Sequence, residues 1–509
     1  MRTPTISRRD FVKYTGLIGA GAAALWVGER APSWAAGGQT LHLHITDALK
    51  DMITNNDTNR AQCYFWLYQP AGATKIPAEV PGPDIIAFEG DTVTVDLNNA
   101  LDEDHNWAIP AAGIFSPTIK PGGGAQFSFT VPPAGLYLYY DSLNAPVNRV
   151  MGLHGAFVSM PSPATGTPYN SAAVAANPNM ARLFADFGTA AHFPGLAWDE
   201  GATNPGFPDT QAFRQYIWVL HTASSKLFAE VGQAPSGVDF DAATFVDKFL
   251  NDPLVVQGNA NTPPVKNDTP DYFTVSGQSG HESHDNPFIS PALRVGEPCL
   301  IRVLNAGLWS HSLHIHANHM YVLQVNNQFS FQPDVGPGQT DNHFWIDTWP
   351  VRPLDTFDWG VPYMRPPDVP NTRGIGFPDQ PLHSGAPPIG KFGDGPNNET
   401  PPANDTWPPV QEVHMATPPP GTTIGGFPED RALSPICYPS HDHSEPTQTA
   451  QGGNYNQGMI GGIDFSGDRT IDPAGPVTFP HAPTVFGPQV TTNAAGPEPP
   501  WPEIDQGSI

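Results

Sequence analysis

The sequence predicts an all-β protein of two Greek-key β-sandwich domains joined and decorated by long Pro/Gly-rich loops. Two observations carry that expectation. The 509 residues include 60 Pro and 50 Gly, a composition that interrupts long helices and favours short strands joined by turns. Short segments also alternate apolar and polar side chains with the period of two that marks a half-buried strand.

The segments follow in order. Leu41–Thr46 alternates as a first strand, and Thr92-Val-Thr-Val-Asp-Leu97 places Val93, Val95 and Leu97 on one inward face. Gln126–Val131 and Leu136–Tyr140 flank the turn Pro132-Pro133-Ala134-Gly135, and the apolar Gly152–Met160 closes an antiparallel sandwich between residues 40 and 162. After a less regular connector, a second unit begins with Gln215–His221. It continues through Tyr272–Val275, Cys299–Leu304, His314–Val325, His343–Asp347, Thr356–Val361 and Met459–Phe465. The stretch from Pro362 to Pro435 cannot build a core from its own composition and is expected to lie over the second unit as an irregular loop. The resulting division is 1–36 export signal, 37–165 first domain, 166–210 connector, 211–470 second domain with the insertion 362–435, and 471–509 Pro-rich extension.

The expected signal rests on Ser7-Arg8-Arg9-Asp10-Phe11-Val12-Lys13, a twin-arginine pattern ahead of a weakly apolar run. Ser33, Ala35 and Ala36 offer a small-residue cleavage site, so the reading is export by the twin-arginine route to the periplasm or beyond. No later stretch is apolar enough to span a bilayer. Net charge is −26, and removing residues 1–35, with five basic and two acidic side chains, leaves it near −29. Such a surface repels nucleic acid and anionic membrane and attracts cations. Three cysteines, Cys63, Cys299 and Cys437, are too few for a disulfide scaffold.

The chemistry concentrates in Ser310-His-Ser-Leu-His-Ile-His316 and, far downstream, His441-Asp442-His443. A residue and its next-but-one neighbour share a strand face, so each His-x-His pair projects two imidazoles to one side. A lone pair of this kind is ordinarily exposed or hydrogen-bonded. Two such strands side by side bring His314, His316, His441 and His443 together, a set suited to copper or zinc.

Around these motifs the sequence resembles the multicopper oxidase (cupredoxin) superfamily. Pro81-Gly-Pro-Asp-Ile-Ile-Ala-Phe-Glu-Gly-Asp-Thr-Val-Thr-Val, Ile119-Lys-Pro-Gly-Gly-Gly, Gly135-Leu-Tyr-Leu-Tyr-Tyr and Met151-Gly-Leu-His-Gly-Ala-Phe-Val resemble the family's first domain. Arg294-Val-Gly-Glu-Pro, Arg302-Val-Leu-Asn-Ala-Gly and the HxxHxH motif of His311, His314 and His316 resemble a later one. The resemblance implies two cupredoxin-like domains, copper as cofactor, and a small-molecule or metal-ion substrate. It also implies departures. Asp104-His105-Asn106-Trp107 keeps one histidine of the family's first pair, Tyr139-Tyr140-Asp141-Ser142 keeps none of the second, and Asp442 stands where the family has its copper-binding cysteine. A carboxylate cannot supply the Cu–S bond of a blue copper centre. Cys437 lies an odd number of residues from Asp442, on the opposite strand face.

The metal set expected from these readings is His314, His316, His441 and His443, with His311 and His105 as further candidates. His311 beside Asp442 also suggests a carboxylate–histidine pair, and His105 a ligand contributed across a domain interface or in trans within a homotrimer, an assembly frequent among two-domain relatives. His319 and His343 are read as structural histidines ahead of pocket-lining ones, and Glu445 as an exposed loop carboxylate ahead of an acid or base; Met459 sits much further along than the family's terminal methionine, and His154 faces the domain interface if the strand register holds. His281 and His284 are expected in a surface loop. Three functions fit: a copper oxidoreductase, a copper-handling protein without turnover, and a metal-free scaffold.

Overall fold

The computed structural model describes residues 40–53, 60–71, 80–161, 168–177, 215–251, 268–284, 286, 288–293, 299–316, 320–329, 344–361, 436–444 and 458–465, with the short strands 33–34, 423–424 and 427–428. The expected signal before residue 33, most of the connector and of the insertion, the C-terminal extension, and His319, His343 and Glu445 lie outside these residues.

Two sandwiches account for most of the described chain. In the first, a four-stranded sheet runs in spatial order Arg60–Pro70, Thr40–Ile53, Thr92–Asn99 and Gly124–Thr130. Its partner sheet is centred on Ile85–Phe88, His154–Met160 and Gly135–Tyr140. Val93, Val95 and Leu97 are all fully buried between the two, as their alternation required. In the second sandwich, Tyr272–Val275, Gln215–Ala223, Cys299–Asn305, Thr356–Val361 and Met320–Val325 form one sheet. Ala292–Leu293, Ile460–Phe465, Ile436–Asp442, His311–Ile315 and Thr348–Val351 form the other.

Several expectations need correction. The sheets are mixed rather than purely antiparallel: Thr40–Ile45 runs parallel to Thr94–Asn99, Phe157–Met160 to Ile85–Phe88, and Gln215–Leu220 to Leu300–Asn305. Strands that cross the sandwich and return beside an earlier strand arrive in its own direction, which local periodicity does not reveal. The single strand expected over 314–325 is two strands in different sheets, His311–Ile315 and Met320–Val325. The first strand is far longer than 41–46, because Thr40–Ile53 pairs along its length with Arg60–Pro70. Two unexpected helices, Ser225–Val231 and Ala242–Asn251, follow the first strand of the second domain. Ser224 caps the former, its hydroxyl accepting from Leu227 N at 3.2 Å. The segment Gly280–His284, expected as loop, is a single helical turn.

The domains are embedded in one another. Along Gly135–Tyr140, Tyr137 and Tyr139 enter the first domain's core while Leu136 and Leu138 join the second domain's. Phe157 divides likewise from Ala156, Val158 and Met160. This sheet is therefore buried on both faces, which explains its near-continuous apolar run. In return, Leu227, Phe228, Phe245 and Phe249 of the two helices pack into the first domain's core.

Polar contacts fasten the same interface. The turn Asn326-Asn327 has positive φ at both residues (50° and 60°), as a two-residue hairpin requires. Asn327 pairs its side-chain amide with Leu136 like a strand edge, accepting from the backbone N at 2.8 Å and donating to the carbonyl at 3.0 Å. Gly135 makes room for it, since a Cβ there would lie 2.4 Å from Asn327 Oδ1. Arg149, buried in the helical turn Val147–Val150, donates from Nη1 to the carbonyls of Ala306 and Gly307, the latter at 2.9 Å. Burial lowers its pKa only to about 10, so it stays charged, and no described acid forms an ion pair with it. Its charge is carried by backbone dipoles of the second domain and the ring of Tyr140, 5.7 Å away. Replacing Arg149 by Ala strips these donors from two buried carbonyls and is expected to cost about 3 kcal/mol, with Lys recovering part of it. Urea unfolding midpoints of the three proteins check the order.

Candidate metal centre

Strand pairing builds the site. His311–Ile315 lies antiparallel between Ile436–Asp442, with His314 opposite His441 and Leu313 opposite Asp442, and Thr348–Val351, with His314 opposite Thr348. Burial alternates along it: His311, Leu313 and Ile315 are buried, whereas Ser312 and His314 are partly exposed. The even spacing of His314 and His316 keeps them on the outer face, and that of His441 and His443 does the same across the ladder.

The four imidazoles meet. Ring centroids lie 4.8 Å apart for His314 and His316, 4.7 Å for His314 and His443, 5.0 Å for His316 and His441, and 4.9 Å for His441 and His443. His314, His441 and His443 each offer a ring nitrogen within 4.8 Å of the others, the one such group of metal-capable side chains among the described residues. His316 Nε2 lies 2.9 Å from His441 Nε2. The patch grades from His441, 6% exposed, to the exposed His443, so it opens to solvent on one side.

The surroundings suit ligation. His314 Nδ1 is engaged by Thr348 Oγ1 at 2.8 Å and the Asp347 carbonyl at 3.1 Å, which makes Nε2 its candidate ligand atom. Burial, followed by the neighbouring imidazoles, lowers the pKa of His316 and takes that of His441 down to about 4. Both are therefore neutral near pH 7, the form that carries a lone pair for a metal. The donors are imidazole nitrogens without a thiolate, a set that fits Cu(II) or Zn(II).

His311 does not join this group. Three residues from His314, it falls on the inner face, where its Nδ1 donates to Asp442 Oδ2 at 2.7 Å with both side chains fully buried. The carboxylate–histidine pair suggested by the sequence thus exists, and it faces away from the four imidazoles. Met459 is also buried in the second domain's core, accepting at its carbonyl from Asp442 N at 3.3 Å.

His105 stands in the first domain. Its Nδ1 donates to Asp141 Oδ2 at 2.6 Å, Glu103 Oε2 lies 3.8 Å from its Nε2, and Trp66 meets its ring edge-on at 5.2 Å. Wholly buried among first-domain residues, it is not presented for sharing with another copy. His154 does reach the domain interface. Its Nδ1 bonds the Arg149 carbonyl at 2.8 Å, and its ring lies 4.5 Å from that of His221, whose Nε2 bonds the Val150 carbonyl at 2.8 Å. Nothing in the sequence singled out His221, an ordinary end to an apolar strand.

Asp141 and Glu103 set the protonation of His105. Burial disfavours its imidazolium, but the hydrogen bond to Asp141 and the negative charges of Asp141 and the nearby Glu103 outweigh that and raise its pKa to about 9. A raised folded pKa stabilises the fold fully below the unfolded value near 6.5, and that stability disappears as pH rises through about 9. Melting temperature is therefore expected to fall between pH 6.5 and 9, and His105→Gln to flatten this slope.

Comparison with known proteins agrees with the first domain. The multicopper oxidase family model matches residues 58–163, a span that ends before the histidine cluster. Copper resistance protein A of Pseudomonas syringae pv. tomato is 30% identical over 167 residues, 30% of this chain and 25% of that protein. L-ascorbate oxidase of Cucumis sativus is 32% identical over 108 residues, 19% of this chain and 18% of its own. The aligned region thus spans about a quarter or less of these relatives. Among solved structures, the blue copper oxidase of Nitrosomonas europaea aligns over 84% of this chain and 85% of its own, at 14% identity and a TM-score of 0.44.

Proposed function

We propose, from the premise that residues 58–163 form a multicopper oxidase domain in a chain divergent from that family, that the protein is an exported copper oxidoreductase with one histidine-ligated centre. The convergence of His314, His316, His441 and His443 on one strand pair carries this reading. Copper bound there supplies one-electron redox chemistry, and imidazole ligation places it ahead of zinc in affinity. The chain's own residues do the rest. Thr348 and the Asp347 carbonyl orient His314, burial keeps His441 neutral, and the exposed His443 leaves the centre open to a small reductant or metal ion. With Asp442 at the place of the family's cysteine and turned to the inner face, that position supplies no thiolate to relay electrons, so in this reading substrate meets the centre directly.

A second reading, copper handling without turnover, draws on the same exposure and on the relative named copper resistance protein A. Turnover of phenols, Mn(II) or Cu(I) by copper-loaded protein separates the two. Among the described residues no helix is long and apolar enough to cross a membrane. The export reading rests on Arg8 and Arg9, and replacing both by Lys is expected to leave unprocessed protein in the cytoplasm.

Elemental analysis with electron paramagnetic resonance tests the centre itself. The expected result is about one copper per chain with nitrogen hyperfine structure and no intense thiolate charge-transfer band. His314→Ala and His441→Ala should each weaken Cu(II) binding by more than about tenfold. Protein that takes up no copper sinks the proposal.

A further inference from the structure

Behind the four imidazoles, on the inner face of the same two strands, the Asp442 carboxylate gathers three hydrogen bonds. Oδ2 accepts from His311 Nδ1 at 2.7 Å, and Oδ1 accepts from Ser312 N at 2.6 Å and Ser444 N at 3.0 Å. Close by, His443 N donates to the Ser312 carbonyl at 2.9 Å. These contacts tie the start of one histidine strand to the end of the other. Ser312 stands two residues before His314, and Ser444 directly follows His443.

We propose that Asp442 and His311 are positioning residues: a buried, hydrogen-bonded brace that sets the register and spacing of the two strands carrying His314, His316, His441 and His443. The proposal rests on the reading of those four as a metal centre and adds that this second pair holds no metal of its own. Three observations favour a brace over a ligand pair. Both Asp442 oxygens are already engaged, so most of the lone pairs a metal would need are in use. His311 Nδ1 is spent on the carboxylate, which leaves Nε2 as the single free ring nitrogen of the pair, one donor where a metal site needs three or four. Among the same residues, no third metal-capable side chain groups with them.

The geometry makes the coupling strong. A side chain on one strand face and its chain neighbours on the other share one backbone, so a slip at Asp442 moves His441 and His443 together. Metal–nitrogen bonds tolerate errors of only about 0.2 Å. Removing one charge-assisted bond at the base of the ladder is therefore read out at the imidazoles. Oriented outer hydrogen bonds of this kind are worth about 10- to 100-fold in metal affinity.

Three variants test the brace in the full chain. His311→Leu removes the donor, His311→Asn keeps an N–H at the position of Nδ1, and Asp442→Asn removes the charge and leaves one acceptor oxygen where the carboxylate has two. In metal-free protein, amide hydrogen exchange at Ser312, His443 and Ser444 should speed up in His311→Leu and Asp442→Asn and stay near wild type in His311→Asn. In the presence of Cu(II), chelator competition should show about tenfold or greater weakening in the first two, with altered copper hyperfine splitting, and near-native values in His311→Asn. Equal impairment of His311→Leu and His311→Asn would overturn the brace, because the imidazole rather than its N–H bond would then matter. Unchanged exchange in both His311→Leu and Asp442→Asn would overturn it as well. If Asp442→Asn does not accumulate as folded protein, the two His311 variants decide alone. A wild-type chain that binds no copper defeats the proposed function, while the exchange measurement still judges the brace.

Discussion

The antiparallel ladder between His311–Ile315 and Ile436–Asp442, in the register that sets His314 against His441, is the constraint on which the rest of the site depends. A β-ladder gives its two faces to different tasks, because adjacent residues point to opposite sides. Here the outer face receives four imidazoles and the inner face receives a histidine and a carboxylate. A shift of one residue in either strand exchanges these roles, turning Asp442 toward the cluster and burying the ligands. Specific function therefore rests on specific register.

That register is defended from several directions. On the far side Thr348–Val351 pairs with the His311 strand and supplies the hydroxyl and carbonyl that hold the His314 ring. Ser440 Oγ donates to the His314 carbonyl at 3.0 Å, adding a side-chain tie within the ladder. Beneath, Leu313, Ile315, Val351 and Ile463 are fully or almost fully buried in the second domain's core. Apolar burial of this kind makes any slip expensive, since it would expose one set of side chains and bury the other.

The first domain is coupled to this arrangement by its own buried groups. Its doubly covered sheet lends Leu136, Leu138, Ala156, Val158 and Met160 to the second domain's core, and Arg149 grips the carbonyls that precede the His311 strand. His105 and Asp141 show a parallel outcome to His311 and Asp442. In both domains a buried histidine is bonded at Nδ1 to a buried aspartate, at 2.6 Å and 2.7 Å. A charge-assisted hydrogen bond satisfies Nδ1 of the buried imidazole in each case, and the domain keeps its packing around it.

The sequence by itself was enough for the all-β class, for the inward faces of strands such as Thr92–Leu97, and for the pairing of His314 with His316 and His441 with His443. All of these follow from a period of two, which is local and written along the chain. The same parity places His311 and Asp442 on the opposite face, and it was legible once His314 was taken as the reference. Tertiary structure alone decided which distant strands became neighbours, that several would be parallel, that His311–Ile315 and Met320–Val325 would join different sheets, and that His221 would meet His154. It also decided that His105 would be enclosed by Asp141 and Glu103 instead of reaching the cluster. Such outcomes depend on how two cores share one sheet, a balance of burial and hydrogen bonding over the whole molecule that no local pattern contains.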